Sequence, residues 1–381
     1  MAPIVTVILP SYNHEKYVGT AIQSVLDQSF RNYEFLISDD CSPDHTVDEI
    51  KKFHDGRIKL HVFPENRGAT INHKYLIDRA QGKYVALINS DDVWLPGRLE
   101  KGVAYMENHP ECGACFSWAE FIDENGNHLN EKNNVFEQPN RTQAEWYARL
   151  FRNGNCLCHP SVLIRTEIYH ELGAYNLAMR QLPDFDMWVR LIKHTPIYIF
   201  QEPLVQHRRF LHSGENTSTP KLTNSMRDVV ESYYILSHYF DGVDDDLFAE
   251  AFHKEFRKKG KLTHNELCCE KFFLLLDGKY YMPSIPSLAS IHYFLRIYSL
   301  EGVAETFRAS YRFTMQNFHD ISCKVDLLGM MPKGADVNTA HDFNPETYIR
   351  ANKVKSLATI FFDKKSGFYQ FCKKLYFKIK R

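Results

Sequence analysis

The sequence of 381 residues contains no apolar run long enough to cross a membrane, which takes about 20 consecutive apolar residues. Its first residues, MAPIVTVILPSYN, have no basic stretch before the apolar one and no cleavage pattern, so we do not expect a signal peptide. The formal net charge is only −1, which gives no electrostatic indication of nucleic-acid binding. We therefore expect a cytoplasmic protein without a nucleic-acid partner.

The cysteines do not form a recognisable disulfide pattern. There are nine, an odd number, at irregular spacing, which favours a reducing compartment. Cys112 and Cys115, together with Cys156, Cys158 and His159, have the residue types of a zinc site. The alternative, which we favour, is that these cysteines are buried on strands.

The sequence also lacks a glycine-rich phosphate loop. Neither Gly-x-Gly-x-x-Gly nor a Walker motif follows the first apolar segment, so we expect no dinucleotide or P-loop site. Without such a loop, a metal ion would have to neutralise phosphate charge. Mg²⁺ and Mn²⁺ are usually held by one or two carboxylates together with substrate phosphates, and Asp91 and Asp92 offer two adjacent carboxylates.

Strand and helix patterns alternate over the first hundred residues. Short apolar runs typical of strands lie at 5–10, 33–39, 57–63 and 83–89. Apolar residues at helical spacing occupy 16–28, 45–54, 70–82 and 96–109. Strands connected by single helices run parallel, so the pattern predicts a doubly wound α/β fold.

A polar cluster follows each of the four predicted strands. The clusters lie at 10–13, 39–42, 64–68 and 89–92. Ligands of open α/β sheets bind beyond the carboxyl ends of the strands, so the clusters predict a binding site on one edge. Helix capping is the alternative for each cluster taken alone, and it explains Ser42 and Asp44 well.

Two segments, VILPSYNHEKYVGTAIQSVLDQSFRNYEFLISDDCSPDHT and NRGATINHKYLIDRAQGKYVALINSDDVWLPGRLE, resemble the family 2 inverting glycosyltransferases. The resemblance extends from residue 4 to about 215. It implies a GT-A type, doubly wound, mixed and mostly parallel sheet, a nucleotide-sugar donor, and Mn²⁺ or Mg²⁺ as cofactor.

The resemblance also implies roles for the turn residues. Pro10, Ser11 and Tyr12 would contact the nucleobase together with Asp40, and a tyrosine ring suits stacking on a planar base. His73 stands where the family often has arginine, so it is either a donor contact or a helix-surface residue.

The family's Asp-x-Asp motif falls on Asn89, Ser90 and Asp91. Asp91 would take the metal-ligand position, and Asn89 would lie near the ribose and phosphate. Asn89 replaces the usual first aspartate and so removes one negative charge from the metal site. Asp92 is a secondary candidate, and the alternative for both aspartates is a helix start.

The segment ELGAYNLAMRQLPDFDMWVRLIKH resembles the family's acidic motif ahead of a helix. Asp184 would then be the catalytic base, with Pro183 in the place of a glutamate. The alternative is that Pro183, Asp184 and Asp186 simply form the first turn of a helix.

The segment VQHRRFLHSGENTS resembles the loop that closes over the donor diphosphate. His212 is the candidate for a further metal or phosphate contact, and His207 competes with it. Arg208 and Arg209 would face the phosphates, unless this is a solvated basic turn.

We expect three parts: a glycosyltransferase domain at 1–219, a helical appendage at 220–330 for oligomerisation or acceptor binding, and a linker with a basic tail at 331–381. The last 21 residues contain seven Lys or Arg and one Asp. Their apolar spacing predicts an amphipathic helix, either on an anionic membrane surface or docked on the protein.

Together these features predict an inverting, metal-dependent glycosyltransferase with UDP-sugars as the favoured donors. The family resemblance implies that the acceptor is a hydroxyl of a glycan or a lipid-linked glycan, as in bacterial surface polysaccharide assembly. The enzyme would be cytoplasmic or peripheral at the inner membrane face. The alternatives are a nucleotidyltransferase and a catalytically dead GT-A protein retained as an assembly subunit.

Overall fold

The computed structural model describes residues 2–129, 134–210, 222–278 and 284–323. These divide into two compact units. The first contains the described residues up to Ile235 and Asp241–Phe252, and the second contains Leu236–Phe240 and the described residues from His253 onward. The first unit thus continues beyond residue 219, where the sequence suggested the end of the catalytic domain. The predicted linker and basic tail lie outside the described residues.

One mixed sheet forms the centre of the first unit. Within the described residues it has nine strands, which are β1 Val5–Ser11, β2 Tyr33–Asp39, β3 Ile58–Val62, β4 Tyr84–Leu87, β5 Val93–Trp94, β6 Ala114–Ile122, β7 His128–Leu129, β8 Leu163–Arg165 and β9 Ile197–Arg208. Their order is β3-β2-β1-β4-β8-β6-β9-β5, with β7 paired to β6.

The amino-terminal part of the sheet is parallel, as predicted. β1 pairs in parallel with β2 and β4, and β2 pairs in parallel with β3. The second part mixes directions, because β8 is antiparallel to both β4 and β6, whereas β6 and β9 are parallel. The predicted mixed, mostly parallel α/β class is therefore confirmed.

The core of the first unit lies on both faces of the sheet. Every residue of β1 and β2 is buried, as their nearly continuous apolar sequences indicate. The nine helices that surround the sheet, counted over the described residues, are α1 Val18–Leu26, α2 Thr46–Lys51, α3 Ala69–Ile77, α4 Arg98–Asn108, α5 Gln143–Asn153, α6 Thr166–Leu172, α7 Pro183–His194, α8 Leu222–Ser237 and α9 Asp245–Phe252. α8 ends two residues beyond the unit's boundary.

Two local expectations were wrong. Pro96 does not begin α4, because Gly97 adopts a left-handed conformation (φ 79°) and the helix starts at Arg98. The segment HPSVLIRTEIY at 159–169 also predicts a strand, but the strand formed there is only three residues long, Leu163–Arg165. A 3₁₀ turn containing Pro160 precedes it, and α6 follows it directly.

The second unit is helical, as predicted for the region after residue 220. Its helices are α10 His264–Leu276, α11 Ser284–Ile297, α12 Val303–Tyr311 and α13 Met315–Ser322. Phe272, Phe294 and Phe307 pack together with ring centroids 5.1–5.6 Å apart and form part of its core. Across the described residues, no helix has the length and hydropathy of a membrane span.

Candidate functional site

The turn after β1 is fixed by a buried carboxylate. The hydroxyl of Ser11 donates to Asp39 over 2.9 Å, and the backbone N–H of Ser42 donates to the other oxygen of Asp39 over 2.8 Å. Pro10 and Ser11 are buried within β1. The side chain of Tyr12, by contrast, is 44% exposed. Of these predicted nucleobase contacts, Tyr12 is therefore the one whose side chain is free to stack on a base.

Asp40 connects the end of β2 to the loop before α3. Its two carboxylate oxygens accept the backbone N–H groups of Arg67 and Gly68, each over 2.8 Å. The residue is only 2% exposed. Asp40 thus shapes the edge on which the polar turns meet, and its contact with a nucleobase stays a prediction.

The turn after β4 contains the Asn89-Ser90-Asp91-Asp92 sequence. The side-chain amide of Asn89 donates to Asp92 over 2.9 Å. An aspartate at position 89 could not make this bond when ionised, because carboxylates only accept. Asn89 is therefore suited to stabilising the turn. Ser90 is in contact with His14, whose Nδ1 lies 2.7 Å from the serine hydroxyl.

Asp92 is the structural anchor of this turn. It is completely buried and accepts hydrogen bonds from the amide of Asn89, from Nδ1 of His207 over 3.0 Å and from the backbone N–H of Arg208 over 2.9 Å. A buried carboxylate with several donors is fully satisfied. Asp92 thus joins the turn after β4 to the end of β9.

Asp91 differs from its neighbour. It is 8% exposed, and among the described residues its carboxylate makes no hydrogen bond to another side chain. Burial, and next the nearby charge of Asp92, raise the pKa of Asp91. A divalent cation would compensate both effects, so the free carboxylate of Asp91 fits the predicted metal-ligand position.

The described residues alone do not complete a metal site. In the part of the chain that the structure describes, no three His, Cys, Asp or Glu side chains come together as ion ligands. An ion at Asp91 would therefore take its other ligands from the donor diphosphate and water, as Mg²⁺ commonly does. His212, the other predicted ligand, lies outside the described residues.

The basic residues at the end of β9 have different environments. Arg208 is 5% exposed and donates to the backbone carbonyls of Asp91 and Asp123, each over 2.8 Å. These hydrogen bonds stabilise the fold, and Arg208 is not turned toward phosphates, contrary to our expectation. Arg209 is partly exposed and its guanidinium lies 3.9 Å from the ring centroid of Phe121. Its phosphate contact stays a prediction.

His207 is held by Asp92. Burial would lower the pKa of His207, but the adjacent carboxylate of Asp92 outweighs this effect and raises the pKa. Because Nδ1 donates to Asp92, the opposite nitrogen, Nε2, carries the remaining binding capacity of the ring. His207 therefore remains the competing candidate for a phosphate or metal contact.

Asp184 lies in the first turn of α7, directly after Pro183 at the first helical position. The side-chain amide of Asn155 donates to Asp184 over 2.7 Å. Burial raises the pKa of Asp184 to about 6, against the opposing effects of the Phe185 N–H and Asn155. The residue is nevertheless partly exposed. A reachable carboxyl with this pKa has the properties of a general base near neutral pH.

Asp186 serves α7 itself. It pairs with Arg190 one turn later, over 2.9 Å. Arg190 also donates to the carbonyls of Leu172 and Ala174, each over 2.7 Å, which ties α7 to the end of α6. Asp186 is thus a structural partner, whereas the bonds of Asp184 within the described residues come from the Asn155 amide and from backbone groups.

His73 is not a cation. Burial lowers its pKa to about 4, and its Nδ1 donates to the Ala69 carbonyl over 2.7 Å. Its ring stacks on His159 and meets the edge of Tyr175, with centroids 5.4 Å apart in both cases. His73 therefore does not replace the positive charge of the arginine that the family often has here.

The zinc alternative has no support. Cys112, Cys115, Cys156 and Cys158 are buried, free thiols. Burial raises the pKa of Cys112 to about 11 and that of Cys115 to about 12. Among the described residues no three His, Cys, Asp or Glu side chains come together as ion ligands. All four cysteines are buried, as the alternative predicts, although Cys115 alone of the four lies on a strand.

Three contacts of the site were not found from the sequence. His14 touches Ser90, Asn155 touches Asp184, and Glu231 accepts backbone N–H groups just before α7. The two residues of each contact are separated in the sequence by 76, 29 and 49 positions, respectively. No local pattern marks such pairs, although His14 stands within a segment that carries the family resemblance.

Comparison with known proteins identifies the family. The family model described as "Glycosyl transferase family 2" matches residues 6–173. An uncharacterized glycosyltransferase of Methanocaldococcus jannaschii is 33% identical over 245 residues, which cover 62% of this chain and 80% of that protein. The chain belongs to glycosyltransferase family 2 and is a glycosyltransferase, as its sequence predicts.

One further relative and one solved structure extend the comparison. The Escherichia coli UDP-Glc:alpha-D-GlcNAc-diphosphoundecaprenol beta-1,3-glucosyltransferase WfgD is 28% identical over 256 residues, covering 64% of this chain and 96% of that protein. The crystal structure of S. aureus TarS 1-349 superposes with a TM-score of 0.52 at 18% identity, over 81% of this chain and 91% of that chain. The second likeness concerns the fold, which is of the predicted GT-A type.

Proposed function

We propose that the protein is an inverting, metal-dependent glycosyltransferase in which Asp184 is the catalytic base. It transfers a sugar from a nucleoside-diphosphate donor, with UDP-sugars as the first donor class, to a hydroxyl of a glycan or lipid-linked acceptor. The observation that carries the proposal is a partly exposed carboxyl with a pKa of about 6, held by Asn155 at the start of α7. The donor and acceptor classes are supported by the name of the 28% identical E. coli relative.

In this reaction the acceptor oxygen attacks the anomeric carbon from the side opposite the diphosphate. The new carbon–oxygen bond forms as the bond to the phosphate oxygen breaks, so the configuration inverts. Asp184 takes the acceptor proton as the oxygen bonds to carbon. Above a pH of about 6 the carboxyl is mostly ionised and able to act as this base.

The donor would bind along the polar edge of the sheet. Tyr12 would stack on the base, and Asp91 would hold Mn²⁺ or Mg²⁺ together with the diphosphate. When bound, the ion neutralises negative charge on the leaving phosphates. Asp92 keeps the turn in place through Asn89, His207 and Arg208.

The test compares Asp184→Asn with Asp186→Asn, using a panel of nucleotide sugars that begins with UDP-glucose. Loss of a positioned base typically lowers the rate by roughly 10²–10⁴, so we expect this decrease in kcat for Asp184→Asn. We expect UDP affinity, measured by calorimetry with and without Mn²⁺, to stay within a few-fold, and the melting temperature not to fall. Asp186→Asn loses its ion pair with Arg190 and should melt earlier, yet keep its turnover.

The structural alternative predicts the reverse. If Asp184 only favours the start of α7, then Asp184→Asn keeps turnover and loses on the order of 1 kcal/mol of stability. A wild-type protein that binds UDP but neither transfers nor hydrolyses any donor would support the catalytically dead assembly subunit.

A further inference from the structure

Glu231 on α8 binds the loop that leads into α7. Its carboxylate accepts three consecutive backbone N–H groups, from Arg180 and Gln181 over 2.9 Å each and from Leu182 over 2.7 Å. Glu231 is only 8% exposed. The contact joins segments 49–51 positions apart in the sequence, and both belong to the first compact unit.

This contact replaces a helix cap that the local sequence does not provide. Leu182 occupies the N-cap position of α7 and has no side-chain acceptor. In a capping box, a glutamate three positions into the helix accepts the N–H of the N-cap residue. Here Glu231 accepts that N–H from a different helix, along with the two N–H groups before it. One carboxylate thereby fixes the backbone immediately before Pro183 and Asp184.

We propose that Glu231 is a positioning residue for sugar transfer, which holds loop 180–182 and thereby places Asp184 for proton abstraction. This inference rests on the proposed role of Asp184 as the base. Glu231 is too far along the chain from Asp184 to belong to any local motif, and it binds backbone rather than the reacting groups.

The negative charge of Glu231 also changes the pKa of Asp184, and this second effect can be measured. Three side chains from different segments interact electrostatically with Asp184, namely Tyr175, Asn155 and Glu231. The hydrogen bond from Asn155 lowers the pKa of Asp184. The charge of Glu231 raises this pKa, in addition to the increase that burial causes. Removing the charge of Glu231 should therefore lower the pKa of the base and keep it ionised at lower pH.

Two variants of the full chain separate position from charge. Glu231→Gln removes the charge and leaves one acceptor oxygen, whereas Glu231→Asp keeps the charge but shortens the side chain. A misplacement of about 1 Å can lower a rate by roughly 100-fold, so we expect kcat to fall by about 10-fold or more in both. The acid limb of the kcat/KM profile should move to lower pH in Glu231→Gln alone. Donor KM should stay within a few-fold in both.

Asp228→Asn is the matched control. Asp228 lies on α8 one turn before Glu231, is half-buried and feels the charge of Glu231. Within the described part of the chain it makes no hydrogen bond to loop 180–182. We expect wild-type kcat and a wild-type acid limb in this variant. Hydrogen exchange of a peptide containing residues 178–184 should accelerate in both Glu231 variants and not in Asp228→Asn.

The outcomes distinguish this inference from the function on which it rests. An inactive Asp184→Asn together with wild-type kcat and pH profile in Glu231→Gln would overturn the role of Glu231 alone. An active Asp184→Asn would overturn both assignments. If Glu231→Gln does not fold, as judged by circular dichroism, then Glu231→Asp decides the question, and wild-type kcat in that variant contradicts the positioning role.

Discussion

Asp92 accepts three hydrogen bonds in full burial, whereas the carboxylate of Asp91 is bound to no other side chain among the described residues. Substitution should therefore separate binding from stability at two adjacent positions. Asp91→Ala should abolish metal-dependent UDP binding with little loss of stability, because it also removes a like charge next to Asp92. Asp92→Ala leaves three donors without their acceptor, one of them the buried N–H of Arg208, and should cost about 3 kcal/mol.

Calorimetry of UDP binding with and without Mn²⁺, and denaturant unfolding of the same samples, measure the two effects. If metal-dependent UDP binding survives in Asp91→Ala but is lost in a folded Asp92→Ala, then Asp92 rather than Asp91 is the metal ligand. If neither variant changes binding, the aspartates only stabilise the turn.

The raised pKa of Asp184 makes two pH dependences predictable. As a base it must be ionised, so kcat/KM should fall as the pH decreases through about 6. For stability the sign is opposite to that of a salt-bridged carboxylate, because the folded state holds the proton more tightly than the unfolded one. Ionised Asp184 therefore destabilises the fold progressively from pH 3.8, its ordinary pKa, up to about 6, and constantly above that.

Asp184→Asn should remove this destabilisation. We expect a gain of at most about 2 kcal/mol above pH 6, allowing for partial exposure, and no gain below about pH 4. Chemical unfolding of wild type and variant across this pH range measures the difference. A variant that is less stable than wild type at pH 7 would show that the cap role of Asp184 outweighs the cost of its burial.

The residue types in the sequence predicted where the candidate site lies, but not which contacts each of its residues makes. The turn after β4 was recognised from its carboxylates and the family pattern. Which aspartate is free depends on His207 and Arg208, which lie 115 and 116 positions beyond Asp92. Arg208 was misjudged for the same reason, because charge in a sequence does not reveal the carbonyls that a guanidinium will meet.

At the scale of secondary structure, the turn between α3 and β4 passes very close to β1. A Cβ at Gly82 would clash with the backbone nitrogen of Thr6 and lie 2.6 Å from the carbonyl carbon of Val5. Because backbone atoms cannot move aside as a flexible side chain can, Gly82→Ala should cost about 3 kcal/mol or more. Gly56→Ala is the matched control, since nothing lies within 4 Å of its added methyl group.

Denaturant unfolding of both variants tests this close approach. Equal stability of Gly82→Ala and Gly56→Ala would mean that β1 and the turn separate easily. The expected result would show that the close approach of this turn to β1 requires a glycine at position 82.

Prediction of the elements succeeded where the pattern was long and repeated. Of the apolar residues at helical spacing in α1, at 18, 21, 22, 25 and 26, the first four are buried and Leu26 is partly buried. The four parallel strands were all identified. Prediction missed β5, which has two residues, and made β8, which has three, too long. Such strands exist because β9, β4 and β6 offer hydrogen-bond partners, which no local sequence pattern encodes.

At the scale of the whole molecule, the basic tail provides a test of membrane association. Deleting residues 361–381 removes seven positive charges and one negative charge. Each basic residue near an anionic surface contributes about 1 kcal/mol, so sedimentation with anionic liposomes should weaken strongly while UDP affinity stays unchanged. Raising the salt concentration should weaken binding of the full chain as well.

The matched control keeps the length of the tail and changes its seven Lys and Arg to Gln. Equal liposome binding by the full chain, the deletion and this variant would rule out the tail as a membrane anchor. Binding that is lost on deletion but kept in the uncharged variant would mean that apolar contacts dominate.

The pairing of Asp92 with His207 also has a consequence for biosynthesis. The two residues are 115 positions apart, and contacts of long sequence separation tend to form late because the intervening chain must first be closed into a loop. A nascent chain that has left the ribosome as far as residue 195 contains every residue of the turn after β4. It does not yet contain β9, the strand that holds this turn. Such a chain should not protect the turn after β4 from proteolysis until β9 has emerged and joined the sheet.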